Sequence, residues 1–258
     1  GALAAVLLVA ILGVQLARGR VRRPAADRRS IARLVILGLL GGPVFALAMT
    51  FAIADAGATI AAFVAGAYPV VAASLAPFVL REPLSRGAGA GFVLALAGAI
   101  LLTELDVGRA PLGGIAVGAF GAFAIASYLL LLRRWGGGPR PDPLLAPGFA
   151  AAAVGVLTAL VLLPIGLATG SAALLPASPG VDSLLAVAWL AIGPGCLSQV
   201  LIAVSTRRIP ARRSAAFLLL NPVTAAITAP ILLGEFLSPI QALGAVLVTA
   251  GIGLAATR

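Results

Sequence analysis

The sequence predicts an all-α, polytopic membrane protein built as an inverted repeat of two five-helix halves. Its 258 residues are 61% hydrophobic, with 18 basic and 8 acidic residues, whereas about a quarter of the residues in a soluble chain are charged. Apolar runs close to twenty residues long recur throughout, and each can cross a hydrocarbon core about 30 Å thick. Because a lipid-facing backbone must pair its polar groups within its own segment, each run is predicted to be a helix.

Nine such runs are separated by short connections rich in Arg, Pro and Gly, and no soluble domain is predicted between them. Mean hydropathy over the whole chain is +1.14, which agrees with this class. The predicted helical spans are 1–16, 34–54, 58–80, 87–103, 112–132, 146–168, 183–205, 213–233 and 239–256.

The arginines indicate how the spans are oriented. Seven of them lie between the first two spans, from Arg18 to Arg33, so this loop is placed in the cytoplasm by the positive-inside rule. Alternating sides from there leaves Arg109 as the one outside arginine among 18. We therefore predict a multi-pass protein of the plasma (inner) membrane of a bacterium, with the Arg-rich loops and the carboxyl terminus in the cytoplasm.

The net charge of +10 does not indicate a nucleic-acid partner, because the arginines lie in separate short loops and not on one folded face. Cys196 is the single cysteine and the chain has no histidine. An internal disulfide is therefore excluded, and no metal site or other cofactor is expected.

The repeat appears as "YPVVAASLAPFVLREPLSR" at 68–86 and "NPVTAAITAPILLGEFLSP" at 221–239. Thirteen residues separate Pro69 from Glu82, and thirteen separate Pro222 from Glu235. With an offset of 153, fifteen of the thirty positions from 69 to 98 are identical. The predicted topology puts Glu82 inside and Glu235 outside, so the two copies are inverted. Inverted repeats are typical of secondary transporters, whose substrate site lies near the midplane.

The same offset places the counterpart of the span 112–132 before residue 1, and the counterpart of the span 146–168 begins before residue 1 and ends near residue 15. We therefore expect a ten-span fold of which nine spans are present, with the first span missing. Residues 1–103 would form the first repeat, of about four spans, and residues 104–258 the second, of five spans. The alternative is a natural nine-span protein.

These segments resemble the drug/metabolite transporter (DMT) superfamily, EamA type. The second copy, "NPVTAAITAPILLGEFLSPIQALGAVLVTAGIGLA", resembles it more closely than the first. The resemblance implies a ten-helix permease whose first, third, fourth, sixth, eighth and ninth helices surround a central cavity. It also implies export of small metabolites, amino acids among them, or toxic compounds. Two positions depart from the family pattern: Arg81 stands where Gly is usual, and Asn221 where a glutamate often precedes the proline.

Tyr68 and Asn221 occupy matching positions before Pro69 and Pro222, and they are the first candidates for substrate contact. Polar side chains at mid-membrane depth are costly against lipid and usually face the bundle interior. Hydrogen bonding between helices is the alternative role. The two prolines are predicted to kink their helices, which would shape a cavity and allow gating, although membrane helices also tolerate proline without such a role.

A second tier of substrate candidates lies on other spans. Two pairs of adjacent polar residues, Ser127-Tyr128 and Ser198-Gln199, lie on these spans. Successive residues of a helix are about 100° apart, so both members of a pair cannot face a cavity squarely. Each serine is ranked below its neighbour, because a serine hydroxyl can instead bond the preceding turn. The remaining candidates are Tyr128 and Gln199, then Ser127 and Ser198, and more weakly Thr50.

Several acidic residues lie at the ends of the predicted spans. Glu82 and Glu235 are expected to bond free backbone donors at helix ends, in a structural role. Asp55 is a weaker candidate for the outer mouth.

Together these features predict a secondary transporter that exports a small-molecule substrate by alternating access. No phosphate-binding loop is present, and the predicted interior lacks the nucleophile–base pair, paired aspartates or metal cluster that an intramembrane enzyme needs. A channel or a non-transporting membrane scaffold is the alternative. The small-residue runs at 87–91 and 251–253 favour close helix packing, either within one half or at the seam of a homodimer.

Overall fold

The computed structural model describes residues 2–17, 27–57, 61, 64, 68–81, 86–103, 111–136, 143–169, 180–201, 204 and 238–256. Within these ranges every regular element is helical, which confirms the all-α class. The helices are α1 (Ala2–Ala17), α2 (Arg28–Leu39), α3 (Phe45–Ala56), α4 (Tyr68–Leu80), α5 (Arg86–Thr103), α6 (Leu112–Gly136), α7 (Pro147–Ala168), α8 (Val181–Leu190) and α9 (Pro239–Ala256). A short 3₁₀ turn covers Pro143–Leu145.

Among the described residues, three helical segments are long and apolar enough to cross a membrane: Arg28–Ala56, Leu112–Gly136 and Gly148–Ala168. Shorter apolar stretches cover Leu3–Val14, Gly89–Gly98, Ala191–Leu201 and Ala242–Gly251. The predicted span 239–256 coincides with α9, whereas the predicted span 213–233 lies outside the described residues.

The predicted start of the second span at 34 was wrong, because the helix begins six residues earlier at Arg28. Asp27 caps it, and the Ser30 N–H donates to Asp27 Oδ1 at 3.0 Å. Hydrogen bonds from Ser30 hold the pKa of Asp27 below its ordinary value, so the cap is charged at neutral pH. Hydropathy marks where the apolar residues begin, whereas the cap decides where the helix begins.

The chain divides into two compact units. Unit 1 contains Gly1–Ala46 and Leu131–Arg208, and unit 2 contains Leu47–Leu130 and Ile209–Arg258. Each unit combines segments from both predicted repeats, so segments related by the repeat fold together in one unit.

In unit 1, α1 and α2 both pack on α7. Leu8 of α1 is buried with Ala151, Ala152 and Cys196, and the cysteine is free and buried. Small residues permit the close approach of α2, since a Cβ on Gly38 would lie only 2.9 Å from the Ala153 carbonyl oxygen. These contacts build the core from apolar dispersion and close backbone packing.

In unit 2, α4 packs on α6. Ala72 and Ala76 of α4 are buried with Ala126 and Leu130 of α6. Alternate residues of α6 from Ala122 to Leu132 are buried, and positions two apart on a helix face nearly opposite directions. The helix α6 is therefore covered on more than one side.

A contact between α5 and α9, which we call the α5–α9 seam, also lies in unit 2. Both ends of α9 lie 153 residues after the ends of α5, which is the offset of the sequence repeat. A Cβ on Gly98 would lie 2.6 Å from both Gly244 O and Val248 N. A Cβ on Gly251 would lie 2.6 Å from Gly91 O and 2.5 Å from Ala95 N. No real Cβ approaches backbone so closely, so both positions admit only glycine.

These two contacts are related by the repeat. Adding 153 to 91, 95 and 98 gives 244, 248 and 251, so each glycine meets the equivalent of its own helical neighbour. The partner number falls from 251 to 244 as the α5 number rises from 91 to 98, so the helices are antiparallel. The seam therefore has local two-fold pseudosymmetry, as inverted copies require. The small-residue runs pack between the two repeats of one chain, whereas the sequence had predicted packing within one half or at a homodimer seam.

We predict that Gly98→Ala and Gly251→Ala each lower the free energy of unfolding by about 1–3 kcal/mol, because the new Cβ must displace backbone. Gly13→Ala is the matched control, since a Cβ there meets no atom within 4 Å. That change is expected to stabilise α1 by about 0.5–1 kcal/mol. Denaturation of purified protein in detergent, followed by tryptophan fluorescence, measures all three. Equal stabilities would contradict the seam.

Candidate functional site

The first feature of the site is an interruption between α2 and α3. Residues Leu40–Val44 form a π-helical stretch in which Gly41, Gly42 and Pro43 are buried. Pro43 has no N–H to donate to the preceding turn, and Gly42 has φ −114° and ψ −106°, outside the helical region. The apolar helix Arg28–Ala56 is therefore kinked near its middle.

A second interruption follows α8, where Ala191–Leu197 is also π-helical. It contains the dipeptide Gly193-Pro194, and the first interruption contains Gly42-Pro43. The two dipeptides are 151 residues apart, within two residues of the repeat offset. Equivalent spans of the two repeats thus leave the regular α-helix at nearly equivalent positions, and the first of them also contains a residue outside the helical region. Such paired, Gly/Pro-interrupted segments point to a transporter's binding site, and π-helical bulges often mark functional positions.

Neither interruption was predicted from the sequence. The longer "YPV/NPV" repeat does not include them, and their signal is a Gly-Pro dipeptide inside each of two apolar spans. Their offset differs from 153, so a fixed-offset comparison does not align them.

Helix α7 holds the first break in place. A Cβ on Gly42 would lie 2.5 Å from Thr158 Oγ1 and 2.8 Å from the Val154 carbonyl oxygen. The Thr158 hydroxyl donates to that same oxygen at 2.6 Å. Only glycine fits against this turn of α7, so the packing of unit 1 and the break depend on the same residue.

Tyr128 lies on α6 in unit 2 and is only 1% exposed. Its hydroxyl has no hydrogen-bond partner among the described residues. A buried polar group left unpaired costs about 1–3 kcal/mol, so this hydroxyl is suited to a ligand that supplies a partner. Its neighbour Ser127 is half-buried.

Gln199 lies in unit 1, two residues after the second break, on the helical stretch that continues to Leu201. Its side chain is half-buried, and its Oε1 atom is buried without a hydrogen-bond partner in the described part of the chain. Its neighbour Ser198 is half-buried as well. The amide therefore places an unpaired acceptor close to a broken helix.

The other predicted substrate residues are less buried than Tyr128 or lie outside the described residues. Tyr68 is the first residue of α4 and is half-buried, and Pro69 is the second. Thr50 of α3 is exposed. The remaining predicted residues lie outside the described ranges, so their roles stay predictions: Asn221, Pro222, Glu82 and Glu235.

Asp55, in the last turn of α3, lies against the beginning of α6. A Cβ on Gly113 would lie 2.9 Å from Asp55 Oδ2, and one on Gly114 would lie 3.2 Å from the same atom. The carboxylate is therefore beside the first turn of α6, where free backbone N–H groups favour negative charge. The predicted position of Asp55 at the outer mouth stays a prediction.

Arg81 ends α4 in a left-handed conformation, with φ +58°. Side chains disfavour this region and glycine does not. The equivalent position of the second repeat, 153 residues later, is Gly234. The residue that departs from the family pattern therefore occupies a backbone conformation that favours glycine.

The EamA-like transporter family matches the chain at residues 2–104 and again at 112–257. The chain belongs to the EamA-like transporter family. Fourteen chains of known structure match it, and one crystal structure of a protein, 22% identical, has a TM-score of 0.75 over 98% of this chain and 86% of its own. At that identity the likeness shows the fold alone. No curated protein matches.

Members of the EamA family are transporters rather than enzymes. Two family matches on an all-helical chain with several apolar helices confirm a multi-pass membrane transporter of the DMT type.

For this EamA-family chain we predict that Arg81→Gly raises the free energy of unfolding by about 1 kcal/mol, because glycine removes the left-handed strain. Arg81→Ala removes the same charge but keeps a Cβ, so it is expected to give no such gain. Chemical denaturation of both variants in detergent separates conformation from charge. A similar gain in both would assign the effect to charge.

Proposed function

We propose that this protein is a secondary carrier that exports a small, polar metabolite, amino acid or drug by alternating access. The observation that carries the proposal is the pair of Gly-Pro breaks at equivalent places in the two repeats. Family membership supports transport in general. The substrate and the direction are our inference from the chemistry of the site.

The breaks supply both mobility and polarity. A π-helical stretch with an internal proline frees backbone carbonyl groups from the regular ladder. In a membrane such groups are tolerated where they line a cavity or contact protein. A few residues at each break can also take up the change in backbone angles when a helix swings.

The polar groups assigned to the substrate are neutral. Tyr128 in unit 2 offers a hydroxyl, and Gln199 in unit 1 offers an amide, each available for a hydrogen bond at some stage of transport. Among the described residues the carboxylates Asp27, Asp55 and Asp182 are all exposed and lie at helix ends. Neutral groups favour an uncharged or zwitterionic substrate, and this scarcity of carboxylates favours exchange or downhill export over proton coupling.

For localisation we propose the bacterial inner membrane, with the Arg-rich segments on the cytoplasmic side. The Arg33 guanidinium lies 5.6 Å from the centre of the Trp135 ring. The start of α2 and the end of α6, both predicted inside, are therefore on the same side. The positive-inside rule then supports the cytoplasm for that side.

We predict that Tyr128→Phe raises the KM for export up to about ten-fold through loss of one hydrogen bond. Its stability without substrate should be unchanged or higher, since an unpaired hydroxyl is removed. The assay is efflux of amino acids, nucleosides and cationic dyes from proteoliposomes, with and without a proton gradient. Ser74→Ala is the control, because that exposed hydroxyl already bonds the Val70 carbonyl at 2.9 Å.

Saturable efflux with counterflow identifies a carrier, whereas flux without saturation identifies a channel. No flux for any compound would favour the scaffold alternative. An unchanged KM in Tyr128→Phe would remove that hydroxyl from the substrate site.

We predict that Pro43→Ala and Pro194→Ala slow turnover while leaving substrate affinity nearly unchanged. Restoring an N–H regularises the helix and stiffens the break. Pro164→Ala is the matched control, since Pro164 lies inside α7 and is exposed. Initial rates of export against substrate concentration separate the two parameters. Equal loss of rate in all three variants would contradict a special role for the breaks.

A further inference from the structure

An arginine surface at one end of unit 1 is not used by the transport site. Its members come from the first turns of α2 and the last turn of α6. Arg33 stacks on Trp135 at 5.6 Å, within cation–π range. Arg28, Arg29 and Arg134 are exposed, whereas Arg33 and Trp135 are half-buried. We call these five residues the Arg33–Trp135 surface.

The charge of this surface exceeds what its own segments can neutralise. Residues 18–33 and 133–142 contain ten arginines and two aspartates. One of those aspartates, Asp27, caps α2, and its carboxylate is also close enough to Arg33 for the two charges to attract. Even with both carboxylates paired, a large positive excess remains.

The position of the Arg33–Trp135 surface, as well as its charge, favours contact with lipid. The helix Arg28–Ala56 is apolar enough to cross a membrane, and so is Leu112–Gly136. The surface lies at the beginning of one and the end of the other, at the depth where lipid headgroups meet the hydrocarbon. Tryptophan is enriched at that depth, and clustered arginines beside a span attract anionic lipid.

We propose that the Arg33–Trp135 surface binds the headgroup phosphate of an anionic phospholipid in the leaflet on this side. Arginine suits this ligand because its planar fork donates two parallel hydrogen bonds to phosphate oxygens. Stacking on Trp135 holds the Arg33 guanidinium in one place, which lowers the entropy lost on binding. The inference does not depend on the transported substrate.

The fluorescence of Trp135 can report which lipid lies beside this surface. The chain has two tryptophans, so Trp189→Phe leaves Trp135 alone at the surface. The protein is reconstituted into vesicles of phosphatidylcholine and phosphatidylglycerol in equal amounts, with bromine on the acyl chains of one lipid at a time. Brominated phosphatidylglycerol is expected to quench Trp135 more strongly than brominated phosphatidylcholine. The preference should correspond to roughly five-fold in association for each contacting arginine and should fall in high salt.

Two variants sharpen the test. Trp135→Phe leaves exposed Trp189 of α8 as the reporter, and residues 181–206 contain no arginine. That variant should show no preference. In the Trp189→Phe background, replacing Arg28, Arg29 and Arg33 with Gln should lower the preference at Trp135 by roughly five-fold for each of these arginines that contacts the lipid. Arg134 remains in this variant, so a smaller preference is expected to persist. Arg81→Gln, which removes one exposed arginine elsewhere, should leave the preference intact.

Equal quenching of Trp135 by the two lipids would overturn the proposal, even if the triple variant fails to fold, since this comparison keeps every arginine. The same preference at Trp189 would also overturn it, because the attraction would then be general to the protein. Export activity is not the readout, so failure here and failure of the proposed carrier function are distinguishable.

Discussion

The close approach of α5 and α9 is the constraint on which much of unit 2 depends. In a lipid environment the hydrophobic effect does little to hold helices together, so association relies on dispersion and on backbones that approach closely. Gly98 and Gly251 provide that approach at two places related by the repeat. One geometric solution is thus used twice, which ties the ends of the two inverted repeats together within one chain.

Glycines also permit close helix packing in unit 1, but there the packing occurs at a broken helix. Gly38 and Gly42 let α2 and its interruption lie against α7, but here the glycine is followed by Pro43, so close packing and a broken helix coincide. A helix that packs against a neighbour at its break can change direction there without losing that contact. This combination suits a carrier, which needs rigid elements joined by a few adaptable residues.

Carboxylates are scarce in the described helices, and this scarcity limits the chemistry of the candidate site. The carboxylates of the described residues are exposed at helix ends, where Asp27 caps α2 and Asp55 lies beside the start of α6. Deeper in the helices, the Tyr128 phenol of unit 2 and the Gln199 amide of unit 1 each carry a buried polar atom without a partner among the described residues. Groups of this kind bind a ligand through hydrogen bonds and without a fixed charge.

The sequence by itself determined the membrane class, most helix positions and the inverted repeat, because hydropathy and a fixed offset are local properties of the chain. It also ranked Tyr128 above Ser127, and the structure finds the tyrosine the more buried of the two. Only the tertiary structure decided that Gly98 meets Gly244, that Gly42-Pro43 breaks its helix against α7, and that Arg33 stacks on Trp135. Those features depend on which helix packs beside which, and a single sequence does not encode such distant contacts in any local pattern.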